Sequence, residues 1–261
     1  MLITKHFMSK LPKKYQFIDF SDYGRPIARI IAKSLKNTSF TPVDVTIAFI
    51  ISGSMGIYFM GIGYYWAAAF FLIFKSILDA ADGELARIKQ TPSFTGRFLD
   101  SVADILLNFV IFFTLCIVTD NNFLLAFVAF FGFQLQGTLY NYYYVILRNR
   151  FNGDTTSRVF EDTTPIALPG EKQKNVTILF FLYKVFYGIF DKLIYSLDKN
   201  ASTEEKLPNW LMSCISTFGL GFQLLIISIL LVTGLKELII PFFIAYSSLI
   251  FIFIYIRKKF Y

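Results

Sequence analysis

The sequence has almost none of the residues that bind soft metals. His6 is its single histidine, and Cys116 and Cys214 are its only cysteines, without a CxxC pair or another metal-ligand spacing. Zinc and copper sites, which need clustered imidazole or thiolate ligands, are therefore excluded. Both cysteines lie in or beside apolar runs, where a cysteine is usually a small buried residue.

Charged residues are also scarce, which argues against a soluble globular protein. Only 16% of the 261 residues are charged, whereas 55% are hydrophobic and 32 are phenylalanine. Apolar runs of about 20 residues are long enough to cross a bilayer as helices. They occur near residues 45–62, 64–82, 98–118, 123–147, 209–234 and 238–256. We therefore predict an all-α, polytopic membrane protein with six transmembrane helices.

Positive charge dominates, with a formal net charge of +7, but its placement follows a membrane rather than a nucleic acid. Of the 25 lysines and arginines, all except Lys75 and Lys236 fall in segments that six spans would place on one side. Basic residues accumulate on the cytoplasmic side of membrane proteins. Both termini are therefore predicted to be cytoplasmic, and no nucleic-acid partner is expected.

Residues 1–40 are predicted to form a cytoplasmic segment on the membrane surface. Within it, a helical stripe of isoleucine and leucine has its basic residues largely on the opposite side. The stripe consists of Ile27, Ile30, Ile31 and Leu35. An amphipathic helix of this kind lies on anionic lipid, so we expect an interfacial helix ahead of the first span.

Residues 41–261 are predicted to form one transmembrane domain, with a cytoplasmic excursion at 148–207. Inside the excursion, residues 176–197 are long enough to cross the bilayer, but Lys184 and Asp191 contribute to a weakly polar stripe. A seventh crossing would also move the basic C-terminal end to the outside. We therefore favour a surface helix at 176–197, with a crossing as the alternative.

Four aspartates interrupt the second and third predicted spans, where each unpaired charge costs about 2.5–3.5 kcal/mol. Asp79 and Asp82 share one helical face, and Asp100 and Asp104 share a face of the next helix. Two antiparallel helices would aim all four carboxylates at one point, where cations must balance them. Ligands that are all oxygen favour Mg²⁺ or Mn²⁺, and two such ions can clamp a pyrophosphate.

Small and basic residues accompany the aspartates. Gly83 removes a side chain where a ligand approaches the backbone, and Ala86 keeps the adjoining wall low. Arg87 offers two parallel donors to phosphate oxygens, and Gly96 allows close packing of the two helices or of a nucleotide. Metal-assisted phosphate chemistry is the function that these residues predict.

Residues 79–104 read DAADGELARIKQTPSFTGRFLDSVAD and match D-x-x-D-G-x-x-A-R-x8-G-x-x-x-D-x-x-x-D at every fixed position. In this pattern the chain resembles the CDP-alcohol phosphatidyltransferase family. The number of spans and the interfacial N-terminal helix extend the similarity to most of the chain. The resemblance implies a membrane enzyme that transfers the phosphoalcohol part of a CDP-alcohol to a hydroxyl group and releases CMP.

The resemblance also implies roles for the motif residues and an oligomeric state. Asp79, Asp82 and Asp100 would bind two divalent cations, Mg²⁺ or Mn²⁺, and Asp104 would complete the metal site. Asp104 would also act as the general base that takes the proton of the acceptor hydroxyl. A homodimer is expected. The residues that would frame the CDP moiety are Gly83, Ala86, Arg87 and Gly96.

The motif leaves the substrates open. We favour CDP-diacylglycerol as donor and a small polar alcohol or its phosphate as acceptor, because the compact chain and its DGELAR sequence look like microbial users of that donor. The alternative is a CDP-choline or CDP-ethanolamine phosphotransferase that acts on a lipid hydroxyl. A cation transporter is disfavoured, because its acidic residues would follow a path through the membrane rather than cluster near one face.

Several basic residues near the motif have two interpretations. Lys75 lies one helical turn before Asp79, where it could balance the acidic cluster or touch a donor phosphate, or else simply reach a polar neighbour. Arg148, Arg150 and Arg158 follow the fourth span. They could grip a phosphorylated acceptor, or they could be ordinary cytoplasmic flanking residues.

Three further polar features are predicted to be structural. Many family members carry Pro-Asn-x-x-Thr before the first span, but this chain reads PVDVT at 42–46. We favour Asp44 as a helix cap, with a nearby polar role as the alternative. Glu84 is expected to face solvent or an arginine rather than a metal. For Tyr140 and Tyr142 to Tyr144 we favour an aromatic belt at the membrane interface, with the lining of a substrate entry as the alternative.

Overall fold

The computed structural model describes Leu11 and residues 15–151, 163–202 and 207–261, and this part of the chain is helical without strands. The all-α prediction is confirmed. The α-helices in these residues are α1 (Arg25–Leu35), α2 (Pro42–Gly61), α3 (Tyr65–Lys89), α4 (Phe94–Val118), α5 (Phe123–Arg150), α6 (Gln173–Leu197), α7 (Asn209–Ile215), α8 (Leu220–Val232), α9 (Ile239–Tyr246) and α10 (Leu249–Phe260).

Four stretches of the described chain are long and apolar enough to cross a membrane. They are α2, α4, α5 and Lys236–Phe260, which contains α9 and α10. The pair α7 and α8, bent by 52°, makes a fifth if it forms one span. With its 25 residues α3 is long enough, but Lys75, Asp79 and Asp82 make it too polar to qualify by composition. A total of six spans requires α3 to cross the membrane as well, so the predicted count of six stays a prediction.

Local capping explains where the helices next to the motif begin and end. At the start of α2, the side chains of Thr41 and Asp44 bond each other's backbone N–H, so the interpretation of Asp44 as a cap is confirmed. Gln90 ends α3 in the left-handed conformation, with φ of 55°. Ser93 then caps α4, because its Oγ accepts a hydrogen bond of 2.8 Å from the Gly96 N–H. The chain thus reverses tightly between the two halves of the motif.

Helix α1 packs against α3 through its smallest residues. Ala28 and Ala32 are fully buried in this contact. Two of the four residues in the predicted apolar stripe, Ile27 and Ile30, stay 50% and 68% exposed, whereas the other two are partly buried. The helix itself lies within the predicted segment, and its placement on a membrane stays a prediction.

The predicted span at 209–234 is broken rather than straight. Gly219 has an extended backbone with φ of −69° and ψ of 146°, and this residue separates α7 from α8. A Cβ atom on Gly219 or on Gly221 would overlap Ser21. The bend therefore leaves room for the N-terminal segment to pass against this pair of helices.

Helix α6 has both of its ends at the same end of the bundle. Near its start, Val176 packs against Phe98 in the first turns of α4. Beyond its last residue, Asp198 bonds Tyr143 near the end of α5 and pairs with Arg257 near the end of α10. The start of α4 and the ends of α5 and α10 would lie on one side of a membrane, so these contacts support a surface helix over a crossing.

The interpretation of the tyrosine run as a lipid-facing belt is wrong for three of its residues. Tyr142, Tyr143 and Tyr144 are 8%, 0% and 8% exposed, and they pack inside the protein. The Tyr142 hydroxyl donates to the backbone carbonyl of Asp198, and the Tyr143 hydroxyl donates to the Asp198 carboxylate. A buried tyrosine hydroxyl needs such a partner, and the sequence did not show which acidic residue the fold would bring close.

One of the buried apolar clusters in the described residues extends toward the end of the bundle away from the motif. There the rings of Phe112, Phe133 and Phe243 are 5.1 to 5.7 Å apart, with edge-to-face contacts between α4, α5 and α9. This packing fixes α4 against its neighbours, while its opposite end, with α3, carries the aspartates.

Candidate active site and metal centre

Three of the four predicted aspartates converge between α3 and α4. Asp79, Asp82 and Asp100 each offer an oxygen atom, and these atoms lie within 4.8 Å of one another. Asp79 and Asp100 are half-buried. The helical spacing therefore brings the motif's two halves together as predicted, and it forms a carboxylate group of the kind that binds a hard cation.

Hydrogen bonding within this carboxylate group is incomplete in a way that fits a metal. Oδ1 of Asp100 is buried and has no hydrogen-bond partner among the described residues. Oδ2 of Asp82 accepts a bond of 2.7 Å from Oγ1 of Thr46, which belongs to α2 and is 2% exposed. A buried carboxylate oxygen without a partner is costly, so a cation bound beside Asp100 would satisfy it.

Asp104, which was predicted to meet the other three carboxylates at one point, is not part of the converging group and pairs with Lys75 instead. Oδ1 of Asp104 pairs with the Lys75 ammonium group, whose side chain is 0% exposed. The ammonium group also lies 4.8 Å from the centre of the Phe49 ring. Of the two interpretations of Lys75, the structure supports a cation that balances part of the acidic cluster.

Arg87 and Glu84 occupy the face of α3 beside the aspartates. A Cβ atom on Gly83 would lie 3.6 Å from both terminal nitrogens of Arg87, so the guanidinium group lies over this glycine. Glu84, which is 4% exposed, accepts from Arg25 and lies 3.2 Å from Nη2 of Arg87. The predicted arginine partner of Glu84 is confirmed. Ala86 is half-buried on the same helix.

Gly96 lies where the start of α4 approaches α2. A Cβ atom there would be 3.6 Å from Cγ2 of Val43 and 3.3 Å from Oγ of Ser93. This close approach is to α2, whereas the sequence predicted close packing between the two helices that carry the motif. A role of Gly96 toward a nucleotide stays a prediction.

Glu171 fastens the excursion onto the same helix start. Its carboxylate accepts 2.7 Å bonds from Ser93 and from the Thr95 N–H, and a 3.0 Å bond from the Leu168 N–H. Burial alone would raise the pKa of the Glu171 carboxyl, but these hydrogen bonds outweigh burial and hold the pKa below its usual range. The contact is therefore kept at neutral pH and lost as the pH falls through that lowered pKa.

Two of the three arginines predicted to meet an acceptor, Arg148 and Arg150, belong to the last turn of α5. Arg148 is 8% exposed, with its guanidinium carbon 5.1 Å from the centre of the Tyr144 ring. Arg150 is the last residue of α5, and Arg158 lies outside the described residues. Their role toward an acceptor stays a prediction.

Two residues near the site were missed in the sequence. Thr46 was noticed only as part of a family pattern, although a threonine one turn inside a span could have been considered as a partner for an aspartate. Tyr187 of α6 donates a 3.1 Å bond to the carbonyl of Ser101, between the third and fourth aspartates. No sequence signal marks Tyr187, because its contact depends on how α6 folds over α4.

A comparison with family models decides the family. The model described as CDP-alcohol phosphatidyltransferase matches residues 40–253. The chain belongs to the CDP-alcohol phosphatidyltransferase family. No curated protein matches it. CDP-alcohol phosphatidyltransferases are membrane transferases of phospholipid synthesis that use divalent metals, and both the apolar helices and the carboxylate group fit that description.

Proposed function

We propose that this protein transfers a phosphatidyl group from CDP-diacylglycerol to a small polar alcohol or its phosphate, with release of CMP. The observation that carries the proposal is the group of three converging carboxylates at one end of an apolar bundle. A lipid-linked donor would keep its acyl chains in the bilayer while its pyrophosphate reaches this group. The family match supports transfer from a CDP-alcohol.

Asp79, Asp82 and Asp100 would hold two divalent cations, Mg²⁺ or Mn²⁺, with Asp104 at the edge of the site. When bound, such cations neutralise the pyrophosphate and stabilise the negative charge that develops on the leaving CMP. The unpartnered Oδ1 of Asp100 supports this assignment. The hydrogen bond from Thr46 of α2 also supports it, because such a bond to one carboxylate oxygen orients Asp82 as a metal ligand.

Asp104 is proposed as the general base. Its Oδ1 is engaged by Lys75, which orients the carboxylate and leaves Oδ2 to take the proton of the acceptor hydroxyl. The acceptor oxygen then forms a bond to the β-phosphorus of the donor. The bond from that phosphorus to the bridging oxygen breaks, and CMP leaves with the electron pair.

The remaining motif residues are proposed to bind the CDP part of the donor. Arg87 would donate to phosphate oxygens, while Gly83, Ala86 and Gly96 leave the space that a nucleotide needs beside two helices. Arg148, Arg150 and Arg158 are proposed to attract a phosphorylated acceptor from the aqueous side. The burial of Arg148 beside Tyr144 supports a fixed rather than a freely solvated cation.

The membrane arrangement is proposed as six crossings, in chain order α2, α3, α4, α5, the bent pair α7 and α8, and the segment that contains α9 and α10. Residues 1–40 would lie on the cytoplasmic surface, and residues 41–261 would form the transmembrane domain with its excursion at 148–207. Both termini and the active site would then be cytoplasmic, as the distribution of basic residues favours. A homodimer is proposed from the family alone.

The substrates can be tested with purified protein in lipid vesicles. Labelled CDP-diacylglycerol is supplied with Mg²⁺ and a panel of polar alcohols and alcohol phosphates, and CMP release and labelled lipid are measured. We expect both products with at least one acceptor. Lipid product that forms only from labelled CDP-choline or CDP-ethanolamine would instead identify a phosphotransferase that acts on a lipid hydroxyl.

A further inference from the structure

Three arginines from two helices surround one carboxylate oxygen beside the aspartates. Oε1 of Glu84 accepts from Nη1 of Arg25, lies 3.2 Å from Nη2 of Arg87 and lies 3.7 Å from Nε of Arg29. The Glu84 side chain is 6% exposed, and those of Arg25 and Arg87 are 12% and 13% exposed. The Arg29 side chain, at 51%, is much more open.

Glu84 therefore pairs with two largely buried arginines, Arg25 and Arg87, as well as with the more exposed Arg29. A largely buried carboxylate is costly unless it is paired, and each buried guanidinium group needs an acceptor for the same reason. Glu84 lies two residues after Asp82 but is turned to another face of α3, so it can serve the arginines without joining the three-carboxylate group.

The position of Arg87 depends on this carboxylate. Its terminal nitrogens lie over Gly83, where a Cβ atom would be 3.6 Å away. An arginine side chain has several rotatable bonds, and a contact at one end of the guanidinium group restricts them before any ligand binds. Arg87 is thus held close to the backbone of the residue that follows Asp82.

Helix α1 supplies the other half of this arrangement and is fixed in place. Arg25 also pairs with Asp22, and a Cβ atom on Gly24 would lie 2.9 Å from Cγ1 of Ile77 on α3. Asp19 accepts a 2.6 Å bond from the Tyr140 hydroxyl of α5. The segment before α1 is therefore anchored to two helices of the bundle, and it presents Arg25 to Glu84.

We propose that Glu84 is a positioning residue, which together with Arg25 of α1 holds the Arg87 guanidinium group in place for the phosphate groups of the donor. This inference rests on the proposed function, because it assumes that Arg87 contacts the donor. It adds that the N-terminal segment, which carries none of the motif residues, helps to form the donor site.

Kinetics with the two substrates varied separately test the proposal. For Glu84→Gln we expect the KM for CDP-diacylglycerol to rise about tenfold, with kcat within about threefold and the acceptor KM unchanged, because an indirect contact to donor phosphate is weakened. Binding of CDP in Mg²⁺, measured by calorimetry without turnover, should weaken by a similar factor. Arg25→Gln should act in the same direction, and the double variant should be no worse than Glu84→Gln alone.

Lys33→Gln is the matched control, because it removes an exposed cation from the same helix. It should leave both KM values and CDP binding unchanged. Thermal unfolding of every variant shows whether the protein is folded, and Arg25→Gln carries the test if Glu84→Gln does not insert.

Two results would overturn the inference. One is an unchanged donor KM in folded Arg25→Gln or Glu84→Gln protein. The other is an equal rise in the donor and acceptor KM, which indicates a general structural defect. Wild-type protein that neither binds CDP nor releases CMP would refute the proposed function itself, whereas an active wild type with unaffected variants would refute only the inference.

Discussion

Among the single residues of the site, Lys75 and Asp104 show how charge is tolerated inside the bundle. The lysine is completely buried and pairs with the aspartate, and its ammonium group lies 4.8 Å from the centre of the Phe49 ring. An unpaired charge at this depth costs about 2.5–3.5 kcal/mol or more, so each charge stabilises the other. Asp104 is thereby kept out of the three-carboxylate group and close to it.

Asp104→Asn should lower kcat for CMP release by about a hundredfold or more, because an amide cannot take the proton of the acceptor hydroxyl. The variant should still insert and unfold near the wild-type temperature. Asp120→Asn, at an exposed position in the turn after α4, is the matched control and should be fully active. Near-complete CMP release by Asp104→Asn at saturating metal would remove the role assigned to this residue.

Thr46→Val removes the hydroxyl that donates to Asp82 while keeping the shape of the side chain. Loss of such a supporting hydrogen bond should weaken divalent-metal binding about 10- to 100-fold. Mn²⁺ titration followed by electron paramagnetic resonance measures this directly. Thr233→Val, at an exposed position after α8, should leave the affinity unchanged. An unaltered affinity in Thr46→Val would show that Thr46 does not support a metal ligand.

For single residues, the sequence predicts which side chains carry the chemistry better than it predicts which side chains contact each other. Helical periodicity is local, so the spacing could show which helix faces carry the aspartates, and Asp79, Asp82 and Asp100 do meet. The same argument placed Asp104 in that group, but Asp104 pairs with Lys75. Thr46 and Tyr187 could not be placed, since α2 and α6 reach the site only through tertiary packing. The pairing of Lys75 with Asp104 was one of several possibilities until the relative position of α3 and α4 was known.

At the scale of elements, α6 is long enough to cross a membrane but is not among the described helices that are both long and apolar enough. It has 25 residues, the same as α3 and α4. Its first turns pack beside Phe98, and the residue after it contacts Tyr143 and Arg257. Because these partners lie near the same end of the bundle, α6 covers the end that contains the aspartates.

Single cysteines in a background without Cys116 and Cys214 test this arrangement in vesicles of known orientation. Cysteines at Thr91, Asn175 and Lys199 should react from the cytoplasmic side, and one at Asn121 from the opposite side. Asn175 and Lys199 lie near the two ends of α6 and are exposed. Reaction of these two positions from opposite sides would mean that α6 crosses the membrane.

The sequence predicted most element positions but not their irregularities. Apolar length identified α2, α4 and α5, because the bilayer thickness fixes how many residues a span needs. The bend at Gly219 was not predictable, since it accommodates Ser21 from a segment almost two hundred residues away in the sequence. The tyrosine run was misinterpreted for the same reason, because Asp198 comes to it from a different element.

At the scale of the whole molecule, one buried ion pair joins three parts of the chain. Asp198, after α6, pairs with Arg257 of α10, and both side chains are at most 1% exposed. The Tyr143 hydroxyl of α5 donates to the same carboxylate at 2.5 Å. The excursion is therefore attached to the bundle at two places. Asp198 binds α5 and α10, and Glu171 binds the start of α4.

Asp198→Ala should destabilise the folded protein by about 3–5 kcal/mol, because it leaves the Arg257 charge buried without its partner. A denaturant or thermal unfolding series in detergent measures the loss. Replacing both partners, as in Asp198→Leu with Arg257→Met, should cost less than Asp198→Ala alone. Glu237→Ala, which removes an exposed partner of Lys236 at 3.9 Å, is the control and should change the stability little.

The most direct test of the central claim is CMP release from CDP-diacylglycerol by purified protein, measured with Mg²⁺, with a chelator and in Asp100→Asn. We predict acceptor-dependent CMP release by the wild type that the chelator stops. Asp100→Asn should be slower by about a hundredfold or more, since it removes a proposed metal ligand. CMP release that continues undiminished with the chelator and in Asp100→Asn would contradict a metal-dependent transferase built on these aspartates.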